Sequence, residues 1–216
     1  MIEVIHYTDP VVQKKLERPL GGFYNQARAL LPGLPENMKL FVKEQQITEE
    51  IGTSGFAYSH DIINLEFDKN FPDQHAQMVD LRGTIFHESY HIKQSYTLSH
   101  LAERGPLAMI ETSIYEGCAT VFEREHAGTK PLFGDYKQHS PDELDAWLNK
   151  IRSIKNGFSR NDWEKWAFYN PELKEKWIIY KLGTHVVDKV LSDGSLDILD
   201  LQDKSAKDIL ALADNL

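Results

Sequence analysis

The sequence predicts an α+β fold in one domain over residues 1–216, with a small N-terminal sheet followed by a mainly helical part. Three observations carry this reading. Residues 61–67 alternate apolar Ile63, Leu65 and Phe67 with polar Asn64 and Glu66, the period of a half-buried strand. After Pro72-Asp73 the apolar positions recur at helical spacing and continue to do so. A chain of 216 residues, 41% hydrophobic and 26% charged, is globular and long enough to bury a core without disulfide staples.

The elements follow in order. Residues 3–6 make a short strand. Val11, Val12, Leu16, Leu20, Phe23, Ala27 and Leu30 form the apolar stripe of an amphipathic helix, which Leu31-Pro32-Gly33-Leu34-Pro35 ends. Leu40-Phe41-Val42 is a strand, and the stretch from Ile51 to Tyr58, with Gly52 and Gly55, reads as a glycine-rich turn before strand 61–67. From Gln74 to about Leu98 apolar groups lie on more than one helical face, which predicts a substantially buried helix. Gly105-Pro106 punctuates, with Pro106 in the first turn of a helix that runs to about His126. Residues 128–139 are a loop. Ser140-Pro141-Asp142-Glu143 starts a helix over 141–153; others cover 160–168 and 172–192, and a short amphipathic one covers 205–213.

Composition excludes several function classes. Twenty-four basic against thirty-three acidic residues give a net charge of −9, which repels phosphate backbones and anionic lipid heads. The densest basic stretch, Lys14, Lys15 and Arg18, is only three charges on a helix, so neither nucleic acid nor a membrane surface is an expected partner. No apolar run approaches the ~18 residues that span a bilayer. The first residues lack the basic and apolar regions of a secretory signal. The one cysteine, Cys118, forms no disulfide within the chain and reads as a core thiol on an apolar helix; a reduced compartment, the cytoplasm, is expected. Gly21-Gly22 lacks the flanking pattern of a phosphate loop.

The chemistry concentrates in Thr84-Ile85-Phe86-His87-Glu88-Ser89-Tyr90-His91. Histidines at i and i+4 lie one helical turn apart on the same face, so both imidazoles can reach one Zn2+ ion. Glu88 is one residue round from His87, placed to act as general base toward water on the metal. With nine histidines and seventeen glutamates the pattern arises by chance in roughly 3% of chains of this composition. Apolar neighbours Ile85, Phe86, Tyr90 and Ile92 make the alternative, two ordinary histidines on a solvated face, costly.

A catalytic zinc usually has a third protein ligand and an open fourth position. Gln94 and Thr97 stand where a metzincin continuation needs glycine and histidine. His100, nine residues past His91, reaches the ion only if the chain bends back. Glu116 is the better candidate, a carboxylate on a helix otherwise lined by Leu107, Met109, Ile110, Ile114, Val121 and Phe122. Gly117 costs about 1 kcal/mol inside a helix, which makes sense where two helices approach closely. Thr112, Glu116, Thr120 and Glu123 form one polar stripe. Thr120 or Glu123 could hydrogen-bond an imidazole nitrogen of His87 or His91, although for Thr112 and Glu123 facing water is the simpler reading.

His87-Glu88-x-x-His91 with a glutamate on the next helix resembles the gluzincin class of zinc metallopeptidases. More narrowly, His-Glu-x-x-His, then Glu116-Gly117-Cys118-Ala119, then Tyr180-Lys181-Leu182-Gly183 is similar to a bacterial group of predicted zinc-dependent proteases. These pieces span residues 84–187, and residues 1–35 carry no matching motif. The resemblance implies a zincin-like fold with an active-site helix, Zn2+ on His87, His91 and Glu116, and Glu88 as catalytic base. It also implies a strand before the helix, supplied by residues 61–67, that lies along the cleft and pairs with an extended peptide.

Peptide hydrolysis also needs a donor to the tetrahedral oxyanion. Tyr180 and His185 are the two candidates on an apolar helix, about 140° apart around its axis, so one of them faces the zinc. The resemblance favours Tyr180, and the chemistry accepts either. Trp163, Trp166, Phe168 and Tyr169 read as an aromatic cluster packing a helix. The expected activity is zinc-dependent hydrolysis of a peptide substrate. A zinc amidohydrolase with the same ligands and a non-catalytic zinc-binding interaction domain are the competitors. Glu88 argues against the last, because a structural site needs no base.

Overall fold

The computed structural model describes residues 2–6, 9–47, 50–104, 107–154 and 158–215. They group into two compact units, Met1–His100 with Phe122–Thr129, and Leu101–Val121 with Lys130–Leu216. The architecture is α+β, with a four-stranded mixed sheet near the N-terminus and helices thereafter. None of the described helices is long and apolar enough to cross a membrane.

In the first unit β1 (Ile2–His6) pairs in parallel with β2 (Met38–Glu44), a pairing that requires a crossover. Helix α1 (Pro10–Leu30) is that crossover. Asp9 caps it by accepting from the Val11 and Val12 amides, and Pro10 occupies the first turn, where its missing N–H is harmless. The buried stripe is Leu16, Leu20, Tyr24 and Ala27 rather than the one through Val11, Phe23 and Leu30; Val11 is 64% exposed. Tyr24 can be buried because its hydroxyl donates to the Pro35 carbonyl at 2.8 Å. Burial pushes that phenol up, with Arg28 pulling the other way.

Strands β3 (Thr53–Ser59) and β4 (Ile62–Phe67) form an antiparallel pair, and β4 also runs parallel to β2, giving the order β1-β2-β4-β3. Two sequence readings are corrected here. The glycine-rich stretch is the edge strand β3, not a turn. Strand β4 is paired on both sides, so it has no edge to offer a peptide. The glycines are there for close approach: a Cβ on Gly55 would sit 2.5 Å from Thr84 Cγ2, and one on Gly52 would sit 2.5 Å from the Phe71 ring.

Helix α2 (Gln74–Lys93) starts on Asp73, whose carboxylate accepts from the His75 and Ala76 amides at 2.9 Å. Every residue from Ile85 to Ile92 is buried, as the many-faced apolar pattern predicts. The helix stops five residues short of Leu98. The left-handed backbone of Ser95 (φ 56°) turns the chain there, and α3 (Leu98–Arg104) follows. The expected Gly105-Pro106 boundary lies outside the described residues.

Helix α4 (Met109–Phe122) continues as a π-helical turn, Glu123–Ala127, closed by Gly128 at φ 69°. In the first unit Phe122 stacks on Phe86 at 5.6 Å and lies 5.0 Å from the Tyr90 ring.

The second unit holds α4 up to Val121, then α5 (Pro141–Arg152), α6 (Arg160–Ala167), α7 (Ile178–Leu191) and α8 (Ala206–Asp214). Ser140, Ser159 and Ser205 each open a helix with a capping box. The core gathers Met109, Leu144, Trp147, Ile151, Trp166, Ile179 and Leu182. The helix expected from residue 172 begins only at Ile178. Before it, Asn170 accepts from the Glu172 and Leu173 amides, Lys174 takes φ 54°, and the two-residue strands β5 (Tyr169–Asn170) and β6 (Glu175–Lys176) pair. Trp163 and Trp166 pack into the core, but Phe168 and Tyr169 are about half exposed and do not join them.

Candidate metal centre

Helix α2 brings His87, Glu88 and His91 together, each with one ligand atom within 4.8 Å of the others. All three are at most 5% exposed. The imidazole rings are edge to face with centroids 4.6 Å apart, and the Tyr96 ring lies 4.8 Å from that of His91. Packing of α2 against the sheet and α1 makes this stretch of helix interior. Polar groups held there need partners of their own.

Two such partners lie within the first unit. The Ala57 amide of β3 donates to Glu88 Oε2 at 2.7 Å, so this N–H goes to the carboxylate and not to the β4 ladder. Gly55 makes the contact possible, since its missing Cβ would also fall 3.3 Å from Glu88 Cγ. On the other side Glu123 Oε2 lies 3.4 Å from His87 Nδ1, both side chains being almost fully buried. The expectation that Glu123 and Thr112 face water is therefore corrected: both are buried, and Glu123 meets an imidazole.

Nitrogen donors from two histidines beside a buried carboxylate suit Zn2+. A carboxylate at Nδ1 of His87 suits presentation of the other ring nitrogen to an ion. The residues present thus fit the metal.

The remaining candidates are placed as follows. His100, on α3, is not part of the cluster, and its ring Nε2 is buried without a hydrogen-bond partner among the described residues. Glu116 is buried on α4 in the second unit, and its carbonyl accepts from Thr120 Oγ1 at 2.7 Å. Tyr180 and His185 are on α7, also in the second unit. Tyr180 packs edge-on against Phe133 and His185 against Tyr136, whose hydroxyl donates to Asp188. Burial holds the His185 imidazole below its ordinary pKa, while Asp145 and Asp188 act in the opposite direction. Cys118 is buried and takes part in no disulfide, as expected.

A family model described as "Predicted Zn-dependent protease (DUF2268)" matches residues 20–211. The chain belongs to this family. No curated protein matches it. The match reaches beyond the motif-bearing stretch 84–187 and takes in the second half of α1 with β2, β4 and β3, while β1 and the start of α1 lie outside it. The family is described as zinc-dependent, and in this member the His87–Glu88–His91 cluster could hold the metal.

Reading the motif alone misses Ala57, Thr129 and the buried position of Glu123. The available signal was glycine: Gly55 and Gly83 sit where β3 and Glu123 approach α2.

Proposed function

We propose that the protein is a zinc peptidase in which His87 and His91 hold Zn2+ and Glu88 is the general base. The observation that carries this is a buried His-Glu-x-x-His cluster whose glutamate is tied to the backbone of an edge strand. Bound zinc would supply Lewis acidity toward a carbonyl oxygen and toward water. Glu88, fixed at Oε2 by the Ala57 N–H, accepts the proton of the attacking water and passes it to the departing amine nitrogen. The bond that breaks is the substrate's C–N bond.

An extended peptide is the substrate that best matches β3. This strand ends the sheet, so its outer edge can pair with another backbone, and it passes directly over the base. Glu116 as third ligand, and Tyr180 or His185 as donor to the oxyanion, are proposed on sequence grounds through Glu-Gly-x-Ala and Tyr-x-x-Gly. The cytoplasm is the proposed compartment, on the single cysteine.

The test is metal analysis of untagged protein followed by peptide profiling. About one zinc per chain, reduced in Glu116→Ala and lost in His91→Ala, together with cleavage of unstructured peptides, supports the reading. A folded protein that takes up no zinc on reconstitution would sink it.

A further inference from the structure

Glu123 is the best-housed charged group near the cluster that the proposed reaction leaves without a role. Its side chain is 6% exposed, so a carboxylate there must be compensated. Thr129 Oγ1 donates to Oε1 at 2.8 Å, and His87 Nδ1 stands 3.4 Å from Oε2. The seat is built for it: a Cβ on Gly83, one turn before His87 on α2, would lie 2.4 Å from Glu123 Oε1 and 2.9 Å from Thr129 Cγ2. The π-helical turn begins at Glu123, and such turns recur at functional sites.

We infer that Glu123 is a positioning residue for His87: it holds the ring as the Nδ1–H tautomer and so fixes Nε2 as the nitrogen offered to the metal. The inference rests on the zinc reading proposed above. At 3.4 Å the Nδ1–Oε2 approach is within ion-pair range but is not yet a hydrogen bond, so the positioning role requires a small ring adjustment that closes it. A neutral imidazole that donates from Nδ1 has only an acceptor at Nε2, which suits a cation, while its Nδ1–H gives the second carboxylate oxygen a donor. Thr129, Glu123 and His87 then form a directed chain, hydroxyl to carboxylate and imidazole N–H to carboxylate, that ends at the metal seat.

Two measurements test it: zinc affinity by chelator competition, and the His87 tautomer by ring-nitrogen NMR of the metal-free protein. Glu123→Ala should weaken zinc about 10- to 100-fold, and Glu123→Gln, which keeps an acceptor oxygen, should recover part of the loss. His87 should be Nδ1–H in the parent protein and mixed in Glu123→Ala. Should Glu123→Ala fail to fold, Gly83→Ala decides by the same affinity measurement. It keeps the carboxylate and every candidate ligand while displacing the carboxylate from its seat. Unchanged zinc affinity in the folded variant overturns the inference. If the folded parent protein takes up no zinc, the peptidase reading fails and the positioning role fails with it. In that case a tautomer that still depends on Glu123 marks the contact as purely structural. Zinc uptake by the parent protein without any dependence on Glu123 overturns the positioning role alone.

Discussion

The amide nitrogen of Ala57 lies 2.7 Å from Oε2 of Glu88, joining the edge strand of the sheet to the helix that carries both histidines. The proposed role of Glu88 as general base requires that its carboxylate be held in place as well as charged, and this bond holds it. Glu88→Gln separates the two properties, because the amide oxygen can still accept from Ala57 while the group no longer takes a proton. The variant is expected to retain zinc by elemental analysis and to lose peptide hydrolysis by about 10²- to 10⁴-fold. Hydrolysis at the parent rate would refute Glu88 as base.

Gly117 and Gly183 make a second prediction. A Cβ on Gly183 would fall 1.8 Å from the Ser113 carbonyl oxygen, and one on Gly117 would fall 2.1 Å from the Gly183 carbonyl carbon. Both obstacles are backbone, so neither can swing aside. Ser113 Oγ, donating to the Ile179 carbonyl at 2.6 Å, pins the same crossing of α4 and α7. Gly183→Ala is expected to destabilise by at least about 1–3 kcal/mol, although alanine is the better helix former. Chemical denaturation reads this directly, and an unchanged midpoint would contradict the close crossing.

How much of this was legible beforehand depends on how local each feature is. Helices α1, α5 and α8 could be read because period and cap lie in one short stretch, with Ser140 and Glu143 three residues apart as an example. The histidine pair could be read for the same reason. The close crossing at Gly117 was also foreseen, though not its partner Gly183. Strand β3 could not, since Gly55 is explained by Thr84 and Glu88 on another element and Gly52, just before the strand, by the Phe71 ring. The same holds for Glu123. Its partners His87 and Thr129 come from a different helix and from the loop beyond, which no period counted along one helix reveals.

Asp80 gives a prediction with a pH signature. Burial raises its carboxyl pKa above 3.8, and the charges of Glu123 and Asp73 raise it further. A carboxyl that binds its proton more tightly in the fold than in the unfolded chain makes folding less favourable once both states are ionised. The penalty is full above the folded pKa and fades as pH falls through it toward 3.8. Asp80→Asn should therefore raise the Tm at pH 7, and the advantage should shrink in acid. A gain of equal size at both ends of the range would mean that packing, not charge, is responsible.

His185 titrates with the opposite consequence. Burial lowers its pKa below 6.5 against the pull of Asp145 and Asp188, so the folded protein favours the neutral ring. Above 6.5 neither state carries the proton, and the residue contributes no pH dependence. Below 6.5 the unfolded chain takes up a proton that the fold refuses, and stability drains until pH passes the lowered folded value, where the loss levels off. His185→Gln removes this drain while also removing the ring that packs on Tyr136, which shifts Tm by an amount independent of pH. The slope is therefore the quantity to compare. Between pH 7.5 and 5 the metal-free parent should lose Tm more steeply than metal-free His185→Gln, and parallel slopes would show that His185 is not held neutral. A neutral imidazole at neutral pH also bears on the choice of oxyanion donor. If His185 plays that part it does so through an N–H dipole rather than a full charge, and acidification that protonates it should strengthen the donor while the fold weakens.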